Sequence, residues 1–113
     1  MTQEFFDVEV ARECGVNAAA VASYLWYRFR EDPEMKYRHG AAWVGVSQKM
    51  MTYAMPYLSI DQVSYAVEKL KKKGYIRVGR YSSSKFDHTN WYSFTDYGAS
   101  IMNFGESYED EDD

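Results

Sequence analysis

The sequence predicts an α+β fold, mostly α-helical, in which a three-helix core packs against a small antiparallel sheet. Three stretches carry apolar residues at helical spacing, and three short β-prone runs lie between and after them. The chain has 113 residues, 46% hydrophobic and 18% aromatic, which is enough for the core of one domain.

One long helix is expected near the start of the chain. Asn17 is a suitable N-cap, apolar residues recur every three or four positions as far as Phe29, and Pro33 prevents continuation. The preceding "EFFDVEV" is typical of a short strand or an extended lead-in, and "ARECG" of a helical turn.

A strand and a short helix are expected next. The polar stretch "PEMKYRHGA" is predicted to be a loop that leads into the β-prone run "AWVGV". Ser47 then offers an N-cap for the helix "QKMMTYAM", which Pro56 must end.

The third helix has the clearest pattern. Ser59 caps it, three lysines occupy its last turn, where the helix dipole favours cations, and Gly74 supplies a left-handed C-cap. One inward stripe at about 3.6 residues per turn is formed by Ile60, Val63, Ala66, Val67 and Leu70.

A β-hairpin should follow this helix directly. "YIRVGRY" and "NWYSFT" are both β-prone, and the polar loop "SSSKFDHT" joins them. Asp96 can cap a final short helix, so we expect one domain over residues 1–105 and a disordered acidic tail over residues 106–113, which has too little apolar content to fold.

Charge is distributed very unevenly. The formal net charge is −4, but residues 36–95 contain ten basic and three acidic residues, a local charge of +7. Six of the 17 acidic residues lie in the last eight positions. A basic block of this kind is compatible with a polyanionic partner despite the acidic total.

The order of these elements is that of a winged helix-turn-helix domain, with a three-helix core, a small antiparallel sheet and a hairpin wing. From Phe5 to about Met102 the chain resembles the winged-helix domains of replication proteins of phages and plasmids of Gram-positive bacteria, relatives of DnaD-like N-terminal domains. The segments that carry the resemblance are "FFDVEVARECGVNAAAVASYLWY", "AWVGVS", "PYLS", "IDQVSYAVEKLKKKGYI" and "GRYSSSKFDHTNWYSFTDYG".

The resemblance implies binding of double-stranded DNA in phage or plasmid replication, or in regulation of replication or transcription. The wing is the most specific segment, because Phe86, Asp87, Thr89, Trp91 and Tyr92 match the family's pattern there. The chain departs from that pattern at the start of the recognition helix. Asp61 and Gln62 stand where relatives usually have Arg or Lys.

Candidate DNA-binding residues lie on the third helix, on the hairpin and at the start of the helix before. Residues 59–72 would enter a major groove, and the wing would touch the adjacent backbone. On the helix, Gln62 and Ser64 are candidates for reading base edges. The full candidate set is Lys49, Ser59, Gln62, Ser64, Tyr65, Lys69, Lys72, Arg77, Arg80, Ser83 and Lys85.

Two alternative interpretations stay open for the outward side of the third helix, which carries Asp61 and Glu68. Asp61 suits the first turn of any helix, and Glu68 can pair with Lys71 or Lys72 on an ordinary solvated surface. The acids on the outward face and the 11 tyrosines also suit a protein-protein interaction or self-association module with little DNA binding. A homodimer or a replication-protein partner is therefore an alternative or additional partner to duplex DNA.

Other functional classes find little support in the sequence. No nucleotide-binding loop or catalytic motif is present, and His39, His88 and Cys14 lack neighbours at metal-ligand spacing, so we expect neither an enzyme nor a metal or other cofactor. One cysteine and the absence of a long apolar segment favour a cytoplasmic protein without membrane contact.

Overall fold

A computed structural model describes residues 7–31, 36–38, 40–80 and 89–111, without the side chains of Lys36 and residues 104–111. Within these residues there are helices α1 (Val8–Cys14), α2 (Val16–Glu31), α3 (Gln48–Ala54), α4 (Ile60–Lys72) and α5 (Asp96–Glu111). The strands are β1 (Lys36–Arg38), β2 (Ala41–Val46), β3 (Ile76–Gly79) and β4 (Asn90–Phe94). The α+β class and the predominance of helix are confirmed.

The strands form one antiparallel sheet in the order β1-β2-β4-β3. The predicted hairpin of β3 and β4 is present, with Ile76 opposite Phe94 and Gly79 opposite Trp91. Strand β2 lies along the other edge of β4, with Val44 opposite Tyr92. The hairpin therefore pairs with β2 through β4. In the chain, β3 comes directly after α4.

The core lies between α2, α4 and the sheet. Val21 and Leu25 of α2, Leu70 of α4 and Val44 of β2 are fully buried in one apolar cluster. The predicted inward stripe of α4 is correct for Val63, Ala66, Val67 and Leu70. It is wrong for Ile60, which is 49% exposed because it begins the helix beyond the edge of the core.

The beginning of the described chain is helical, not extended. Asp7 accepts hydrogen bonds from the backbone N–H groups of Glu9 and Val10 and so caps α1, which ends at Gly15 with φ 98°. The turn that "ARECG" indicated is correct, while the strand or extended lead-in expected over Val8 to Val10 is wrong. Helix α2 starts at Val16, so Asn17 lies inside it and is not its N-cap.

Strand β1 replaces part of a predicted loop. Lys36 to Arg38 pair with Ala41 to Trp43, and Gly40 turns the chain between the strands with φ 74°. The Trp43 indole N–H also donates to the Arg38 carbonyl oxygen at 3.0 Å. Lys36, Tyr37 and Arg38 show no strand pattern in the sequence. Strand β1 forms because these residues can pair with the edge of β2.

Helix α5 is capped by Thr95, not by Asp96. The Thr95 hydroxyl oxygen accepts from the Gly98 N–H at 3.0 Å, and Asp96 is the first helical residue. The helix extends as far as Glu111 and is thus longer than expected. The division into a domain of residues 1–105 and a disordered tail of residues 106–113 stays a prediction.

Candidate functional site

Helix α4 is fixed at both ends by local hydrogen bonding. The Ser59 hydroxyl oxygen accepts from the Gln62 N–H at 3.1 Å, and the Gln62 side-chain oxygen accepts from the Ser59 N–H at 2.8 Å. This reciprocal capping box satisfies two backbone donors that the first turn would leave unpaired. At the other end Gly74 adopts φ 83°, and its N–H donates to the Lys71 carbonyl oxygen.

The side of α4 opposite the core faces solvent. Asp61, Tyr65, Glu68 and Lys72 are all exposed there, and Tyr65 reaches 68% exposure. The face is mixed in charge, with carboxylates near its start and middle and cations towards its end. Its attraction for an anion therefore increases towards the C-terminal end of α4.

Four lysines meet at that end of α4. Together with Glu13 of α1 and two α4 residues they line an open groove of about 680 Å³, which we call the lysine groove: Glu13, Tyr65, Glu68, Lys69, Lys71, Lys72 and Lys73. The Lys69 ammonium lies 5.5 Å from the Tyr65 ring centre, a cation–π contact. Lys71 and Lys73 were not among the predicted site residues.

The lysines of the groove outnumber its carboxylates by four to two. Among the described residues no carboxylate forms an ion pair with Lys71, Lys72 or Lys73, so the pairing of Glu68 with Lys71 or Lys72 expected for a simple solvated face is not found. Cations at a helix C-terminus are favoured by the dipole in any protein. Here the four lysines exceed the two glutamates of the groove, Glu13 and Glu68, and leave a net positive surface.

Two buried groups lie near Glu13 of the groove. Burial and the neighbouring Glu13 raise the pKa of the Cys14 thiol, against smaller opposite effects of Lys73 and Lys69. Burial raises the pKa of the Tyr75 hydroxyl far above its ordinary value, and hydrogen bonds with Tyr97 and Glu13 add to the effect. Both groups stay neutral near pH 7, so the charge of the groove comes from its lysines and glutamates.

The first two residues of helix α3 point in different directions. Lys49 is exposed, as a phosphate contact requires. Gln48 instead turns inward, where its side-chain oxygen accepts a hydrogen bond of 2.5 Å from the Ser64 hydroxyl. Ser64 is half-buried by this contact with α3, which leaves it on the edge of the outward face and not at its centre.

The hairpin contributes further cations. Arg77, opposite Ser93 in the sheet, and Arg80, just after β3, are both exposed. Ser83 and Lys85, at the predicted tip of the wing, lie outside the described residues. The structure thus brings Lys69 and Lys72 together and leaves Lys49 on a separate helix and Arg77 on the hairpin.

Four large side chains are exposed on α3, on the turn after it and at the start of α4. Met50, Tyr53, Tyr57 and Ile60 are each about half exposed or more, at 53%, 66%, 53% and 49%. We call these residues the apolar corner. Sequence patterns did not indicate it, because Ile60 fits the inward stripe and the tyrosines could equally have been buried.

Searches against known proteins return no relative. No protein-family model matches the chain, and neither a curated protein nor a solved structure is significantly similar to it. In the part of the chain that the structure describes, no helix is both long and apolar enough to cross a membrane, and no three side chains of His, Cys, Asp or Glu form a metal-binding group.

Proposed function

We propose that the chain is a double-stranded DNA-binding winged helix-turn-helix protein that acts in the replication of a phage or plasmid or in its regulation. The observation that carries the proposal is the exposed face of α4, which ends in a lysine groove of net positive charge beside an arginine-bearing hairpin. The role in replication rests on the resemblance of the sequence segments.

The architecture supports the proposal. Helices α3 and α4 are separated by the turn Met55–Ser59, and α4 passes directly into a hairpin that pairs with the rest of the sheet. A winged helix-turn-helix protein uses the second helix of this pair for the major groove and the hairpin for adjacent backbone.

The dimensions of α4 also fit a DNA groove. Its 13 residues make a rod of about 20 Å, and a major groove about 12 Å wide admits a helix of this kind. Tyr65 and Lys72 project from the exposed side, while the opposite side is sealed against the core. The helix can therefore enter a groove without exposing apolar core.

Affinity for DNA would come mainly from cations at the end of α4 and on the elements beside it. The four groove lysines lie at the end of α4, and Lys49 and Arg77 are exposed on the elements before and after it. Contacts from these groups to phosphates release counterions, whereas Asp61 and Glu68 oppose close approach of the backbone near the start and middle of the helix. The helix should thus be attached to DNA most strongly by its C-terminal half.

Titration of labelled duplex DNA at several salt concentrations tests the proposed function. If about four or five phosphates are neutralised, the logarithm of the association constant should fall against the logarithm of salt concentration with a slope of roughly −4. Absence of binding at low salt, with the protein folded, contradicts the proposal. A random-sequence duplex serves as the probe for this first measurement.

Gln62 offers a sharp test of sequence reading. Its side-chain oxygen already accepts from the Ser59 N–H, and its amide N–H groups can donate to base acceptors. Gln62→Glu keeps the capping acceptor but removes those donors, so we expect altered preference among duplexes with a change in stability of no more than about 0.5 kcal/mol. Selection from a random duplex pool, with wild type in parallel, measures the preference.

A protein-interaction role is the second candidate, favoured by the apolar corner. Four large side chains exposed together suit a partner surface more than a phosphate backbone. Light scattering separates the two candidates when combined with the DNA titration. A stable oligomer that binds no duplex at low salt favours this second function, and a monomer that binds duplex favours the first.

A further inference from the structure

Tyr65 presents an aromatic ring within the lysine groove. It is 68% exposed, although it lies near the middle of α4. The Lys69 ammonium, one turn further along the helix, lies 5.5 Å from the centre of this ring. A cation–π contact of this kind holds the ring in place and covers at most one of its two faces. The groove therefore offers a positioned aromatic surface to a planar group.

The other side chains of the groove carry charges of both signs. Its four lysines supply cations, whereas Glu13 and Glu68 supply two carboxylates. The backbone of duplex DNA presents phosphate oxygens, which attract the lysines and repel both carboxylates. An unpaired nucleotide presents a phosphate, a stacking surface and, on the edge of its base, N–H groups that donate to carboxylates. The unpaired nucleotide therefore matches all three kinds of group in the groove.

The ring and the lysines stand on a firmly held helix. Val67 and Leu70 bury the opposite side of α4 in the core, and the capping box at its start and the turn at Gly74 fix its ends. The volume of the groove, about 680 Å³, falls within the roughly 300–1,000 Å³ of pockets that hold small molecules. A ligand of nucleotide size thus meets binding groups that are already in position.

We propose that the lysine groove binds an unpaired nucleotide of a DNA single strand, whose base stacks on Tyr65 while the adjoining phosphates contact the groove lysines. Glu68, three residues after Tyr65 and so on the same side of α4, accepts hydrogen bonds from N–H groups of the base. The inference deepens the proposed function and rests on it only for the duplex from which the single strand extends. The protein then binds best where duplex and single strand meet.

Changes to the DNA test this site without altering the protein. Three probes share one random-sequence duplex: the first is blunt-ended, the second has a short single-stranded extension, and the third has an abasic extension of the same length. Because one stacked base is worth roughly 5- to 150-fold in affinity, the normal extension should bind at least about 5-fold more tightly than the abasic one. The two extensions carry equal numbers of phosphates, so charge alone cannot produce the difference. Equal affinity of both, with extensions of either polarity, overturns the proposal.

Variants of Tyr65 then locate the preference on the protein. Tyr65→Leu removes the ring from an exposed position and should abolish the preference for the normal over the abasic extension, whereas Tyr65→Phe keeps the ring and should retain it. Tyr53→Leu is the matched control, because Tyr53 is 66% exposed on α3 and does not line the groove. A preference that survives Tyr65→Leu, or that Tyr53→Leu reduces equally, overturns the assignment to this groove.

A single-stranded oligonucleotide of mixed sequence separates this inference from the proposed function. If the oligonucleotide binds in a Tyr65-dependent manner while blunt duplex does not bind at low salt, the proposed duplex function is overturned and the nucleotide site stands. If blunt duplex binds but the normal extension has no advantage over the abasic one, the nucleotide site is overturned and the proposed function stands. Binding of neither DNA by the folded protein at low salt overturns both.

Discussion

Gly98→Ala should destabilise the protein strongly, although the same exchange stabilises most helices. A Cβ built at Gly98 would lie 2.1 Å from the Tyr75 carbonyl oxygen and 2.9 Å from its carbonyl carbon. These are backbone atoms that no rotamer change can move aside. Helix α5 would therefore have to shift away from the residues before β3.

That shift would also break the hydrogen bonds that anchor α5. The Thr95 N–H donates to the Tyr75 carbonyl oxygen at 3.1 Å, and the Thr95 hydroxyl donates to the Gly74 carbonyl oxygen at 2.5 Å. Overpacking together with weakening of these bonds should cost about 3 kcal/mol. In a domain of this size the thermal midpoint should fall by roughly 10–20 °C.

Circular dichroism melting of Gly98→Ala beside Ser100→Ala measures the effect. Ser100 lies exposed on the same helix, with its hydroxyl bonded to the Tyr97 carbonyl, so its exchange should change stability by no more than about 0.5 kcal/mol. A Gly98 variant as stable as wild type would show that α5 does not lie against Tyr75 in solution.

Removal of three cations from the lysine groove should cause the largest loss of DNA binding. In the variant Lys71→Ala, Lys72→Ala, Lys73→Ala we expect affinity for any duplex to fall roughly 10²-fold at moderate salt, and the salt slope to become shallower by about 2–3. The affected groups have no described carboxylate partner, so no internal ion pair is lost. Alanine retains high helix propensity at the end of α4.

A matched pair of single variants distinguishes the effect of a cation's location on DNA binding from the effect of total charge. Lys72→Ala and Arg12→Ala each remove one exposed cation, but Arg12 lies on α1 and pairs with Glu9 at 3.5 Å. Lys72→Ala should weaken duplex binding more than Arg12→Ala does. Equal effects would mean that only the net charge matters, and the groove would then have no special role.

Glu68→Gln should change the affinity for duplex DNA in the opposite direction. Glu68 is exposed between Tyr65 and Lys72 on the outward face of α4. If this face approaches phosphates, removal of its negative charge should raise duplex affinity by roughly 2- to 5-fold. Fluorescence anisotropy with the same random duplex provides the comparison, and weaker binding by Glu68→Gln would contradict the proposed orientation.

The elements that sequence predicted best are those whose signals are local. Ser47 and Ser59 cap α3 and α4 as expected, and Gly74 ends α4. The capping box was also visible in the sequence, because Gln62 stands three residues after Ser59. The capping box changes the expected role of Gln62, because its side-chain oxygen already accepts a hydrogen bond from the Ser59 N–H.

The elements that sequence missed depend on a partner elsewhere in the chain. Strand β1 exists because β2 offers backbone donors and acceptors to Lys36, Tyr37 and Arg38. Thr95 displaced Asp96 as the cap of α5, since the Thr95 hydroxyl also reaches the Gly74 carbonyl. Competition between adjacent capping residues is decided by such distant contacts.

The features of the candidate site also fall into two groups, those set by local sequence and those set by distant contacts. Sequence alone determined that α4 would have one apolar and one hydrophilic face with lysines in its last turn, because helical periodicity and the helix dipole act within a single segment. Only the tertiary structure decided that Ser64 is hydrogen-bonded to Gln48, that Ile60 is exposed and that Glu13 lines the lysine groove. Each of these depends on the position of another helix, and packing in three dimensions has no signature in the spacing of one segment.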